Sequence, residues 1–182
     1  MAKNKSKYTI YGIAGEILMG GKQDRILGED VIIKPFEERT VSSFCVEHGR
    51  WAQKETGNDF KGYYNVTSNK VRKSAVMDKS QSKVWENVDE IITKQKSSNS
   101  TQAYTELKNN KEFNTSKLKY LNHFKDVWEN DGDVIGVVAV SGDKIVGCDI
   151  FATHQLFNNA YNNFIACLYF GSTYQWLSLI HI

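Results

Sequence analysis

The stretch VIGVVAVSGDKIVGCDIF, residues 134 to 151, constrains the architecture more than any other part of the chain. Val134 to Val140 is an apolar run of strand length, Ser141-Gly142-Asp143-Lys144 has turn chemistry, and Ile145 to Phe151 is a second run. A connection this short joins antiparallel neighbours, because a parallel crossover needs about a dozen residues or more. The spacing therefore predicts a hairpin. Thr153 follows it as a cap for a helix with Leu156, Phe157, Ala160, Tyr161, Phe164 and Ile165 on one face.

The first third reads as short strands. Tyr8 to Ile13, Gly15 to Met19, Arg25 to Leu27, Asp30 to Lys34 and Thr40 to Glu47 are β-like, interrupted by Gly20-Gly21 and by Pro35, the only proline. The middle is helical. Ser80 can cap a helix to about Lys96, whose apolar residues Val84, Trp85, Val88, Ile91 and Ile92 form one stripe. After a loop at 96–101 a second helix is expected from Gln102 to about Asn110. A third is expected from Ser116, with Leu118, Leu121, Phe124 and Trp128 on one side. Strands, then helices, then a hairpin predict an α+β fold: a mostly antiparallel sheet or partial β-sandwich with three to four helices packed on it.

A chain of 182 residues is ample for one hydrophobic core, and a single domain is expected over residues 1–176. The net charge of +2 is too small to argue for nucleic acid, and no apolar run approaches a membrane span. The partner expected is an anionic small molecule, with neither nucleic acid nor membrane and no cofactor. Cys45, Cys148 and Cys167 are widely spaced, which reads as free thiols. The opening residues show no signal peptide, so the cytoplasm is the default, with export open if the chain once began further upstream. The last six residues, LSLIHI, are what the end of a transposase adapter used for sequencing libraries encodes in frame. Residues 177–182 are therefore expected to be adapter translation, with native sequence stopping near Trp176.

Polar residues concentrate in two places. In SFCVEHGRW, Ser43 to Trp51, strand alternation sets Ser43, Cys45 and Glu47 on one face and Phe44, Val46 and His48 on the other. Cys45 and His48 then point apart, which works against a nucleophile pair. Phe44 and Val46 read as core-facing, with Cys45 and Glu47 toward another layer or solvent. No metal is expected, since no histidine is paired with another at helical or strand spacing. In GGKQDR, Gly20 to Arg25, a Gly-Gly turn presents backbone amides with Lys22, Gln23, Asp24 and Arg25, but Glu16 and Gln23 stand where a P-loop needs Gly and Ser or Thr. A polar hairpin turn with a local charge mix accounts for the same residues. A basic cluster with Lys70, Arg72 and Lys73 reads either as a solvated stretch or as part of an anion site.

GEILMGGKQDRIL (Gly15 to Leu27), SFCVEHGRW, VRKSA (Val71 to Ala75), SQSKVWENV (Ser80 to Val88) and GDKIVGCDIF (Gly142 to Phe151), in that order and spacing, give the chain a resemblance to a known family. It resembles the domain associated with ADP-ribosylglycohydrolases and rhodanese–phosphatases. That resemblance implies a role around ADP-ribose or another NAD-derived nucleotide, as a binding or regulatory module. Lys22, Gln23, Arg25, His48 and Arg50 would supply donors, Trp51 would stack on a base or ribose, and Arg72 would join if the fold brought it near. Two alternatives stay open. One is an enzyme using Glu47 or His48 as general acid or base. The other is a structural or partner-interaction domain in which the conspicuous polar residues bond one another.

Overall fold

The structure, a computed structural model, describes residues 1–49, 59–95, 102–124, 131–171 and 178–181. Arg50, Trp51, the loop at 96–101 and Trp128 lie outside the described residues. Contacts divide the chain into two compact units, Met1–Asn110 and Lys111–Ile182. The fold is α+β with antiparallel pairing throughout the strands described.

The first unit opens with β1 (Ala2–Lys3), β2 (Ile10–Gly12), β3 (Glu16–Gly20), β4 (Arg25–Leu27), β5 (Val31–Ile33), β6 (Glu38–Arg39), β7 (Ser43–Cys45) and β8 (Phe60–Val66). β7, β4, β3 and β8 make a four-stranded sheet in that order, while β1 pairs with β6 and β2 with β5. Leu27, Val31 and Ile33 are buried together, with Ala2, Leu18 and Val41 against them. Ile17 and Ile26 face each other across β3 and β4 and are fully buried. Gly20 and Gly21 have φ of 126° and 57°, so the break read at that dipeptide is a turn in the left-handed region.

Two helices follow. α1 (Asn69–Val76) is capped by Ser68, and α2 (Gln81–Lys94) by Ser80, whose side chain accepts from Lys83 N. The expected stripe on α2 is buried at Val84, Val88, Ile91 and Ile92. Trp85 is only half-buried, and Asn87 joins the inner face because its side chain donates to Ser74 Oγ of α1 at 2.6 Å. The segment expected as a second α-helix is a 3-10 helix, Tyr104–Asn109, with no side-chain cap at Ala103.

The second unit contains α3 (Lys111–Phe124), β9 (Gly136–Ser141), β10 (Lys144–Ile150), α4 (His154–Gly171) and β11 (Ser178–His181). β9 and β10 form the hairpin, with a register shift between Ile145 and Gly147. β11, within the six residues read as adapter, pairs with β9. α3 begins five residues before the expected Ser116, because Phe113 is buried and recruits the preceding turn. Thr153 Oγ1 accepts from Leu156 N and caps α4, whose Phe157, Ala160, Tyr161, Phe164 and Ile165 are all buried.

Candidate functional site

The expected strand over Thr40–Glu47 ends early, at Cys45. Beyond it Val46 and Glu47 run along two other segments. Val46 N donates to Asp24 O at 3.0 Å, Tyr104 N donates to Val46 O at 3.1 Å, and Glu47 bridges Ala103. Alternation therefore fails here, and Cys45, Val46 and Glu47 are all buried. Glu47, read as facing another layer or solvent, is 2% exposed.

The Gly20–Arg25 turn and this strand end lie side by side. Gln23 Nε2 donates to Glu47 O at 2.8 Å, and Asp24 N donates to Glu47 Oε2 at 3.1 Å. Asp24 uses both carboxylate oxygens: Oδ1 accepts from Gly20 N at 2.9 Å and closes the turn, and Oδ2 accepts from Thr105 Oγ1 at 2.6 Å. Cys45 Sγ donates to Gln23 Oε1 at 3.0 Å. From α2, Gln81 brackets Cys45, accepting from its N and donating to its O, each at 2.8 Å. Gln23, Asp24 and Glu47 are thus a buried polar floor whose bonds go to the backbone and to the side chains of Thr105 and Cys45. In such a place an unmet donor or acceptor costs about 1–3 kcal/mol, so saturation is what lets these residues be buried at all.

Lys22, Arg25 and His48 flank the same junction from outside. Lys22 and His48 are exposed, and Arg25 is half-buried opposite Cys45. The His48 ring stacks on Trp85 of α2 with centroids 4.3 Å apart and planes 17° apart. Trp85 Nε1 is buried and has no hydrogen-bond partner among the described residues. Burial pushes the Cys45 thiol above its ordinary value, outweighing the opposite pull of the Arg25 charge. A buried protonated thiol bonded to an amide is a poor nucleophile. Glu47 and His48 do not form one acid–base site either: the carboxylate is turned into the floor and the imidazole is outside on Trp85.

Arg72 sits elsewhere. A Cβ on Gly15 would lie 2.9 Å from the Cδ and Cγ of Arg72, so the arginine stem crosses the backbone at Gly15, where φ is +96°. Gly15 precedes β3 and Gly20 ends it, which separates Arg72 from the turn by about 16 Å of strand rise. Tyr11 feels its charge, together with those of Asp30 and Glu16. Asp30 Oδ1 accepts from Ala14 N at 2.7 Å, and Glu16 Oε2 accepts from Ile13 N at 3.1 Å. Burial, with the hydrogen-bonded Asp30 carboxylate, pushes the Tyr11 hydroxyl up to about 12, against the Arg72 charge. Burial also raises the Glu16 carboxyl.

Sequence reasoning did not find Thr105, Gln81, Tyr11, Glu16 or Asp30. The available signal was the carboxylate of Glu16 inside an otherwise apolar strand run. Among the described residues, no group of three or more His, Cys, Asp or Glu could hold a metal ion, and no helix is long and apolar enough to cross a membrane. No curated protein and no solved structure matches the chain. A family model matches residues 1–173, a span that includes the Gly20–Arg25 turn, the floor and the Arg72 cluster. The chain belongs to the ARPP-1 family, the ARG and Rhodanese-Phosphatase-superfamily-associated Protein domain.

Proposed function

We propose that the first unit is a non-catalytic ligand-binding or regulatory module for an anionic small molecule, ADP-ribose or another NAD-derived nucleotide. One observation carries this reading. The Gly20–Arg25 turn and the Glu47–His48 segment adjoin on a saturated floor, and Lys22, Arg25 and His48 are left around it. The floor residues Gln23, Asp24 and Glu47 hold the site's shape and do not contact the ligand. Lys22 and Arg25 supply cations, and His48 on Trp85 supplies an aromatic face for a base or ribose. The buried Trp85 N–H is a donor that a bound polar group or water satisfies. The family's association with ADP-ribosylglycohydrolases agrees with that ligand class.

Calorimetric titration with ADP-ribose, NAD and related nucleotides tests it. Binding is expected, weakened about tenfold or more by Lys22→Ala or Arg25→Ala. Absence of heat and of any melting shift across the panel overturns it. A structural or partner-interaction domain is the second reading, favoured by the mutual bonding of Gln23, Asp24 and Glu47. It predicts that panel-wide silence.

A further inference from the structure

Asn4 is fully buried, and its side chain ties two surface loops together. Its Nδ2 donates to Tyr8 O at 2.6 Å, Ile33 O at 3.1 Å and Lys34 O at 2.9 Å. Its Oδ1 accepts from Ser6 N and Ser6 Oγ, each at 2.9 Å. The loop at residues 5–8 is thereby clasped against the turn at residues 34–37. That turn is closed by Glu37 N donating to Lys34 O at 3.1 Å and Lys34 N donating to Glu37 Oε2 at 2.6 Å.

The tip of this turn is chemically odd. Pro35 and Phe36 hold its central positions, and Phe36 has φ of 60° where such a turn calls for glycine or asparagine. Phe36 is 70% exposed, so little packing is there to compensate the backbone strain. An outlier of this kind motivates a functional explanation. Beside it Tyr8 is 67% exposed, with Lys7 Nζ 5.3 Å above its ring. Lys5, Lys7 and Lys34 are exposed, and none of them makes an ion pair among the described residues. The two nearby acids are engaged: Glu37 accepts from the backbone of Lys34, and Glu38 pairs with Lys3. Arg39, on β6, donates to Ile32 O.

We propose that the Pro35–Phe36 tip and the Lys5–Tyr8 loop form a docking surface for an anionic phospholipid bilayer. The apolar residues stand at the apex and the lysines flank them, so Phe36 enters the headgroup–acyl boundary while the ammonium groups stay at headgroup level. Tyr8 suits the same boundary, being apolar in body and polar at its tip. A single-stranded nucleic acid site would instead interleave cations with flat aromatic platforms along a groove. Averaged over the chain, the charge of +2 conceals this local cluster.

The test is sedimentation of the full chain with vesicles of phosphatidylcholine containing about 30% phosphatidylserine, against pure phosphatidylcholine. Binding is expected to the anionic vesicles, weakened in 0.5 M salt to about the level of the neutral ones. Replacing Lys5, Lys7 and Lys34 together by Gln is expected to weaken it on the order of a hundredfold, roughly fivefold per cation. Phe36→Gly removes the ring and relieves the backbone, so it is expected to lose binding with its melting midpoint unchanged or raised; misfolding then does not explain the loss. No binding to anionic vesicles at low salt overturns the proposal. So does equal binding by Phe36→Gly, or capture of a poly-dT oligonucleotide by the same lysines with no vesicle binding.

Discussion

The Glu47 carboxylate accepts the backbone N–H of Asp24 at 3.1 Å, although the two residues are 23 positions apart and both are buried. With Thr105 on Asp24 and Gln23 on the Glu47 carbonyl, this contact locks three distant segments into one floor.

Asp24→Ala leaves the Gly20 N–H and the Thr105 hydroxyl without their acceptor. A loss of about 2–6 kcal/mol is expected, from two buried groups at about 1–3 kcal/mol each. Thr105→Val removes one donor and keeps the shape, so its expected cost is smaller, about 1–2 kcal/mol. Urea unfolding of both variants checks the order, and equal midpoints for Asp24→Ala and the parent protein would refute the floor's structural role.

The three thiols are expected to differ in reactivity. Cys148 is exposed, whereas Cys45 and Cys167 are buried. Burial also raises the Cys45 pKa, which lowers its thiolate fraction. A thiol-specific reagent followed by peptide mapping is expected to modify Cys148 in the folded protein, and the other two only after denaturation. Rapid modification of Cys45 in the native state would show that the floor opens.

Stability is expected to depend on pH through Glu16. Its folded pKa is raised above 4.5, chiefly by burial, so the folded state holds that proton more tightly than the unfolded chain. The resulting stabilisation is complete below the unfolded value and is lost as pH rises through the folded one. Glu16→Gln retains an oxygen for Ile13 N–H and carries no charge. The stability of this variant relative to the parent is expected to increase between about pH 4 and about pH 7. Urea midpoints across that range decide it, and a difference independent of pH would contradict the burial argument.

Glu90 behaves in the opposite sense. Hydrogen bonds from Lys70 of α1 and Lys94 of α2 hold its carboxyl down at about 2. Its contribution is present above the ordinary carboxyl value and is lost as pH falls toward 2. The side chain is 34% exposed and open to solvent screening, so Glu90→Gln is expected to cost only about 0.5 kcal/mol at neutral pH. That cost should shrink in high salt, as thermal melts at two salt concentrations would show.

Phe36→Gly is expected to stabilise the fold by about 0.5–1 kcal/mol. The left-handed conformation costs a non-glycine residue about 1–2 kcal/mol, and glycine returns part of that as extra unfolded-state entropy. Chemical denaturation reads this independently of any lipid, and a destabilised variant would show that the exposed ring supports the turn.

Much of the local structure was legible because local chemistry specifies it. The β9–β10 hairpin follows from two apolar runs around Ser141–Lys144, and α2 follows from a Ser80 cap and one apolar stripe. β8 and α1 were not legible. FKGYYNV has no clean alternation, and the basic run in NKVRKSA masks a helix whose buried residues are only Val71, Ser74 and Ala75. The strand to Glu47 was overextended because Val46 and Glu47 pair with the turn and with Ala103 instead of with a neighbouring strand.

By itself the sequence determined the fold class, the family and the two segments where polar residues gather, because periodicity, caps and turn residues act over a few positions. Only tertiary structure decided which of those polar residues are sealed and which stay open. Gln23, Asp24 and Glu47 went inside because Thr105, Cys45 and backbone groups from distant segments met their hydrogen bonds. Arg72 was drawn to the opposite end of β3 by the space over Gly15. Three lysines became one charged surface because the amide of Asn4 holds two loops together. Burial and long-range hydrogen bonding depend on what the chain brings near, and no local pattern encodes that.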